Sequence, residues 1–140
     1  MATAPAVYKQ NKVIFSVAGI PVEDIAEDEE ITINYDRDRI SKQLDIGKGG
    51  IFSVRDGNPA TIEVPILQHS KWISILTNYK KLDKMVAISL EDKNDYNNTA
   101  MFVSAHAMIQ NVPVSYGSEA SSRTFVFEIM HLEDIIIPEL

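Results

Sequence analysis

Hydrophobic and polar residues alternate through most of this chain, and that period of two predicts a mainly β protein. Val13, Phe15 and Val17 share one face of a first strand, which Gly19 and Pro21 break. Ile31, Ile33 and Tyr35 alternate with Thr32 and Asn34 in a second. Ile51 to Arg55 and Ala60 to Leu67 flank Asp56-Gly57-Asn58, and Asp-Gly between alternating segments predicts a hairpin. In its second arm Ile62, Val64 and Ile66 face one side, Thr61 and Glu63 the other. Pro65 cannot donate a ladder hydrogen bond, so that end is expected at a sheet edge. Val86, Ile88 and Leu90 alternate with Ala87, Ser89 and Glu91, and Asp92 to Asn98 reads as a polar turn. A long strand follows from Thr99 to Ile109. Its predicted faces are Met101, Val103, Ala105, Ala107 and Ile109 against Phe102, Ser104, His106, Met108 and Gln110. Phe125, Phe127 and Ile129 make the last strong strand. The apolar tail Ile135-Ile136-Ile137 needs a partner, within the fold or on a neighbour.

One segment has a different period. Trp72, Ile75, Leu76, Tyr79 and Leu82 recur at spacings of three and four, which predicts a helix over about residues 70–82. Ser70 is a suitable N-cap. Lys80, Lys81 and Lys84 stand where positive charge complements the helix dipole. Trp72 and Tyr79 are expected to pack into the core rather than contact a ligand.

Composition narrows the class. At 140 residues and 45% hydrophobic, the chain reads as a single domain, 1–140, with a true core, preceded by a flexible arm at residues 1–10. No apolar run approaches the roughly 18 residues of a membrane span, and no basic region followed by an apolar core opens the chain. Neither a membrane anchor nor a secretory signal is expected. The absence of cysteine excludes disulfides, thiolate metal sites and cysteine nucleophiles. A net charge of −7 argues against a tight grip on nucleic acid, which needs Lys and Arg against the phosphates. An acidic wall would instead let a polyanion slide past.

The charged stretches allow two readings each. Glu23-Asp24 and Glu27-Asp28-Glu29-Glu30 form either a solvated loop, or a repulsive patch near a channel or a site for a basic partner. Asp36-Arg37-Asp38-Arg39 alternates in sign. On an open surface each such pair contributes about 0–1 kcal/mol; at an interface the same pattern would set register and exclude wrong partners. Gly47-Lys48-Gly49-Gly50 predicts a sharp turn using positive φ. A phosphate-cradling loop is ruled out there, because no Gly-Lys-Ser/Thr follows and no helix opens.

Reaction centres are missing from the pattern. His69, His106 and His131 lack ligand spacing. Asp92-Lys93-Asn94-Asp95-Tyr96 starts like a calcium loop but has Asn97 where glycine is needed and Val103 where glutamate is needed. No Gly-x-Ser-x-Gly elbow exists. Glu23-Asp24 and Glu133-Asp134 are adjacent pairs, whose side chains on a strand would point apart. No catalytic, cofactor or metal site is predicted, and no enzyme.

The order of certain segments resembles the tail tube proteins of contractile-tailed bacteriophages. They are Ile31 to Tyr35, the polar stretch through Asp36 and Lys42, the cluster Gly47, Gly49 and Gly50, then Ser53. Thr61-Ile62-Glu63-Val64, Leu67-Gln68-x-Ser70 entering the helix, and Phe125 to Ile129 complete it. The resemblance runs from about Val13 to Ile137. It implies a β-sandwich or small barrel with one flanking helix. It further implies homohexameric rings stacked into a tube inside a sheath, as a structural part of the virion tail assembled in the host cytoplasm. The genome would pass through the bore into the host without tight binding. Tail sheath, baseplate and tail terminator proteins would be the partners. The tube of type VI secretion is similar in architecture. On this resemblance residues 36–55 form an extended inter-subunit loop. Asp36, Arg37, Asp38, Arg39, Lys42, Lys48 and Arg55 would make ring-to-ring contacts, and Gly49 and Gly50 would permit the turn. The arm Met1 to Gln10 and the tail Ile135 to Leu140 are further contact candidates. Thr61, Glu63, Ser89 and Glu91 are candidates for the bore. The alternatives are a monomeric β-sandwich binding module, for a sugar or a protein ligand, and another tail ring component such as a terminator or baseplate ring.

Overall fold

A computed structural model describes residues 8–27, 29–47, 49–94, 98–119 and 121–138. Its strands are β1 (Val13–Val17), β2 (Ile20–Pro21), β3 (Thr32–Tyr35), β4 (Ile40–Leu44), β5 (Gly50–Val54), β6 (Ala60–Leu67), β7 (Val86–Asp92), β8 (Asn98–Ile109), β9 (Ser122–Ile129) and β10 (Glu133–Pro138). The single α-helix described, α1 (Lys71–Lys81), lies between β6 and β7. The fold is mainly β with one flanking helix, as the hydrophobic pattern predicts. Eight strands run in the order β2-β1-β7-β8-β9-β6-β3, with β10 also on β8, and β4–β5 pair only with each other.

The architecture turns on β8. Its first half pairs with β7 on one edge and with β10 on the other; its last residues, Ala107 to Ile109, pair with β9. Ile88 lies opposite Ser104 and Val86 opposite Ala107, so β8 carries one more residue than β7 between these pairs. Such a bulge bends a strand and increases its twist. The Ser104 hydroxyl supports it, accepting from the His106 amide at 3.4 Å and lying 3.2 Å from the His106 carbonyl, to which it can donate. The bend divides the sheet into two layers. One is β2-β1-β7 with the first half of β8 and β10; the other is the end of β8 with β9, β6 and β3.

These layers close on each other through alternate residues. Phe15 on β1 meets Phe127 on β9, ring centroids 5.2 Å apart, although the two strands are not sheet neighbours. Val17, Ile88 and Leu90 complete one wall of the core, and Ile62, Val64, Ile66, Phe125 and Ile129 the other. The segment after β2 ties the two layers together at the side. The Val22 amide donates to Phe15 O at 2.8 Å, Ala26 to Pro65 O at 3.1 Å and Leu67 to Asp24 O at 2.8 Å, and Ile25 bridges Ile66. Pro65 stands past the last β3 pairing, at Glu63, where no β3 carbonyl asks for its missing donor.

Helix α1 starts where Ser70 Oγ accepts from the Trp72 amide at 3.2 Å. Trp72 and Leu76 are buried, with Ile73, Ile75 and Tyr79 half-buried against the core. It ends in a Schellman arrangement: Lys84 donates to Tyr79 O at 3.0 Å and Asp83 to Lys80 O at 3.2 Å, with Asp83 left-handed at φ 51. Leu82 is therefore the C-cap and exposed, not a member of the apolar face its spacing suggested.

Two further expectations need correction. The Asp56-Gly57-Asn58 turn does not join β5 to β6 in a hairpin: β5 pairs back with β4, and β6 with β3 and β9. Asn58 instead clamps the end of β9, its side chain donating to Leu132 O at 3.1 Å while its carbonyl accepts from the Leu132 amide at 3.0 Å. The faces predicted for the long strand mix across the bulge. Phe102 and Ser104 face the core before it, Ala107 and Ile109 after it, because the extra residue inverts the alternation. The arm is anchored where it is described: the Lys9 amide donates to the buried Asn94 side chain at 2.6 Å and Gln10 opens a 3-10 turn. Residues 1–7 lie outside the described residues, as do Asp28, Lys48, Glu139 and Leu140. The tail finds its backbone partner within the fold, Ile135 opposite Met101 and Ile137 opposite Thr99.

Candidate functional site

The strongest departure from an ordinary β domain is the β4–β5 hairpin. Every described residue from 34 to 57 is exposed. An isolated two-stranded hairpin is marginally stable at best, so one carried off the body in this way would gain from a partner. Its register sets Ile40 opposite Val54, Lys42 opposite Phe52 and Leu44 opposite Gly50; Ser41–Ser53 and Gln43–Ile51 are the alternate pairs. Directly opposed residues share a face. One face is therefore Ile40, Val54, Phe52 and Leu44 around a single Lys42, and the other is Ser41, Ser53 and Gln43 with Ile51. Phe52 is 74% exposed and Leu44 75%, and Ile46 at the tip is fully open to water. A contiguous apolar face of this kind marks an interaction surface.

The turn is built for the purpose. Asp45 Oδ1 accepts from the amides of Gly47 at 2.9 Å and Gly49 at 3.2 Å, and the Asp45 amide donates to Gly49 O at 3.1 Å. None of Gly47, Gly49 and Gly50 uses positive φ, so that expectation fails. Gly50 is needed for close approach instead: a Cβ there would lie 2.5 Å from Gln43 O.

The legs of the hairpin use the alternating charges in an unexpected way. Arg37 Nη2 donates to Asp56 O at 2.6 Å, Arg55 Nη1 to Asp38 O at 3.4 Å, and the Arg55 amide to Arg39 O at 2.8 Å. The guanidinium groups brace backbone carbonyls rather than pairing with Asp36 or Asp38. Asp36 Oδ1 is 3.1 Å from Thr61 Oγ1, whose hydroxyl also lies 3.2 Å from Glu128 Oε2. The structure thus brings Asp36, Arg37, Asp38, Arg39, Lys42, Gly49, Gly50 and Arg55 onto one projecting element. Sequence reasoning missed the apolar residues between them. The signal was present in Ile40, Leu44 and Phe52, but only the register shows that they share a face.

The four bore candidates are not brought together. Thr61 and Glu63 alternate with buried Ile62 and Val64 on β6; Ser89 and Glu91 alternate with buried Ile88 and Leu90 on β7. The two strands belong to opposite layers, so these pairs lie on opposite outer faces. The β3–β6–β9 face is mostly polar, with Thr32, Asn34, Thr61, Glu63, Thr124 and Glu128 around Val126. The other carries Ile14, Met101 and Val103, and a shallow trough of about 590 Å³ lined by Ser16, Ala87, Ser89, Val103 and Ala105 among others. β3 and β10 each keep one edge free of any strand among the described residues. No three His, Asp or Glu side chains cluster at metal-binding distances among the described residues, and no described helix is long and apolar enough to cross a membrane. No family model matches the sequence, and no curated protein is significantly similar to it.

Proposed function

We propose that this chain is a tail tube protein: a structural subunit whose rings stack into the inner tube of a contractile phage tail, or of a closely related injection device. One observation carries the reading. The β4–β5 hairpin stands clear of the body and holds a one-sided apolar face in water, a geometry suited to docking onto a second copy. The free edges of β3 and β10 support ring formation, since an unpaired edge is completed by a neighbour's strand. Head-to-tail pairing of unlike edges closes into a ring when the rotation fits, and six-fold closure is the expectation from the resemblance. The mostly polar β3–β6–β9 face suits a water-filled bore, with Thr61 and Glu63 lining it beside Glu128. On this reading Ser89 and Glu91 belong to the opposite wall. Carboxylates at the bore would keep DNA from adhering while it passes. Negative-stain microscopy of the purified chain over rising concentration tests the proposal. Annular particles and hollow filaments are expected; a monodisperse monomer under every condition would overturn it.

A further inference from the structure

The charges of this chain are segregated. Between residues 39 and 55 stand four basic residues and one acidic, a net +3 in a chain of −7, which leaves −10 for the rest. Among the described residues the one ion pair within 4 Å is His131–Glu133; no Lys or Arg is paired with a carboxylate. Among the described residues, therefore, the hairpin cations and the body carboxylates do not pair with each other.

The acidic counterpart has a shape. A groove of about 1150 Å³ opens beside β1 and the loop leading to β3. Val13, Ile14, Ile25 and Ile31 give it an apolar floor, and Glu23, Asp24, Glu27, Glu29 and Glu30 a mainly acidic rim, on which Lys9 is the one cation among the lining residues. Its apolar floor and mainly anionic rim complement a hairpin face of Phe52, Leu44 and Ile46 that carries Lys42. Within one chain the two do not meet, since the hairpin face remains exposed.

We infer that the occupant of this groove is the hairpin of a second copy: Phe52, Leu44 and Ile46 on the apolar floor, Lys42 toward the glutamates. The inference rests on the self-assembly proposed above and names the surface on which stacking occurs. Apolar burial supplies the attraction, and the opposed charges set orientation and exclude like-charged surfaces.

The absence of native cysteine makes a cross-linking test clean. Ile46→Cys and Glu27→Cys chains are mixed, assembled and oxidised, with Lys71→Cys on the exposed start of α1 as a control. The Ile46–Glu27 heterodimer is expected as the dominant cross-linked species, with no corresponding product from the control. A second measurement uses charge reversal. Glu23→Lys/Glu27→Lys chains and Lys42→Glu chains should each fail to elongate alone and should co-assemble when mixed. If unaltered chains form tubes but Ile46→Cys cross-links elsewhere, or the reversed chains elongate alone, the seating is wrong and the tube stands. If nothing assembles and nothing cross-links, both fall.

Discussion

Replacing Phe52 by serine separates assembly from folding. The side chain is 74% exposed and lies outside the core, so the substitution should change the stability of the single chain by no more than about 0.5 kcal/mol. Assembly is another matter. Burying a phenylalanine fully contributes about 1.5–3 kcal/mol, and three quarters of that remains to be gained at a contact, roughly 1.1–2.2 kcal/mol per copy. At 1.4 kcal/mol per factor of ten, each contact weakens about 6- to 40-fold. Six such contacts between two hexameric rings would lose roughly 7–13 kcal/mol if they add. The assay is the concentration at which filaments begin to pellet or scatter light, read beside the thermal midpoint of the dilute chain. The midpoint should hold while the filament threshold rises by at least the single-contact factor. Ser53→Ala, on the opposite face of the same hairpin, should move neither. A Phe52→Ser chain that assembles at the unaltered threshold would refute the docking role of this face.

Three other substitutions test the fold. Phe127→Ala removes one of the two rings that join the layers and should destabilise by about 3–5 kcal/mol in urea denaturation; a cost under about 1 kcal/mol would deny the layer contact. Ser70→Ala removes the side-chain acceptor at the start of α1 and should cost about 1 kcal/mol, with the midpoint shift read by circular dichroism. Ala18→Asn should stabilise by several tenths of a kcal/mol, because Ala18 and Gly19 both take positive φ, at 53° and 80°, in the two-residue β1–β2 turn, and asparagine tolerates that region better than alanine; a lowered urea midpoint would contradict the turn.

Much of this fold was legible because burial follows local period. Phe15 and Val17, Ile62 and Val64, and Phe125 and Phe127 read as core from alternation alone, and the helix from its spacing of three and four. What failed to read was non-local. One inserted residue near Ala105 swaps the faces of β8, and nothing in the sequence around Ser104 announces it. Asp56-Gly57 carries a hairpin signature, yet β5 turns back onto β4 through the Asp45 loop, whose carboxylate gathers two glycine amides. Of the candidate site, the location between 36 and 55 was legible from charge and glycine content. Its apolar face was not, because Ile40, Leu44 and Phe52 become neighbours only once the strands are in register. The split of the bore candidates was equally hidden, since which layer a strand joins depends on pairing rather than composition.

Unpaired charge on a folded chain costs little while water surrounds it, so the segregation of +3 from −10 has no evident role in the monomer. The proposed stacked assembly would give it one. Bodies of like charge repel as they approach, and the repulsion grows with each ring added. A cationic hairpin placed between two anionic bodies lowers that repulsion where it would be greatest, and gains most when it sits against the acidic groove. The same arrangement disfavours groove-to-groove and hairpin-to-hairpin contacts, both of which bring like charges together. On the proposed seating the polarity of stacking would follow from charge: a hairpin of one copy in the groove of the next is a heterologous contact, which propagates instead of closing as a dimer. Salt should accordingly loosen the choice of partner before it abolishes association, because the apolar contribution of Phe52, Leu44 and Ile46 is not screened.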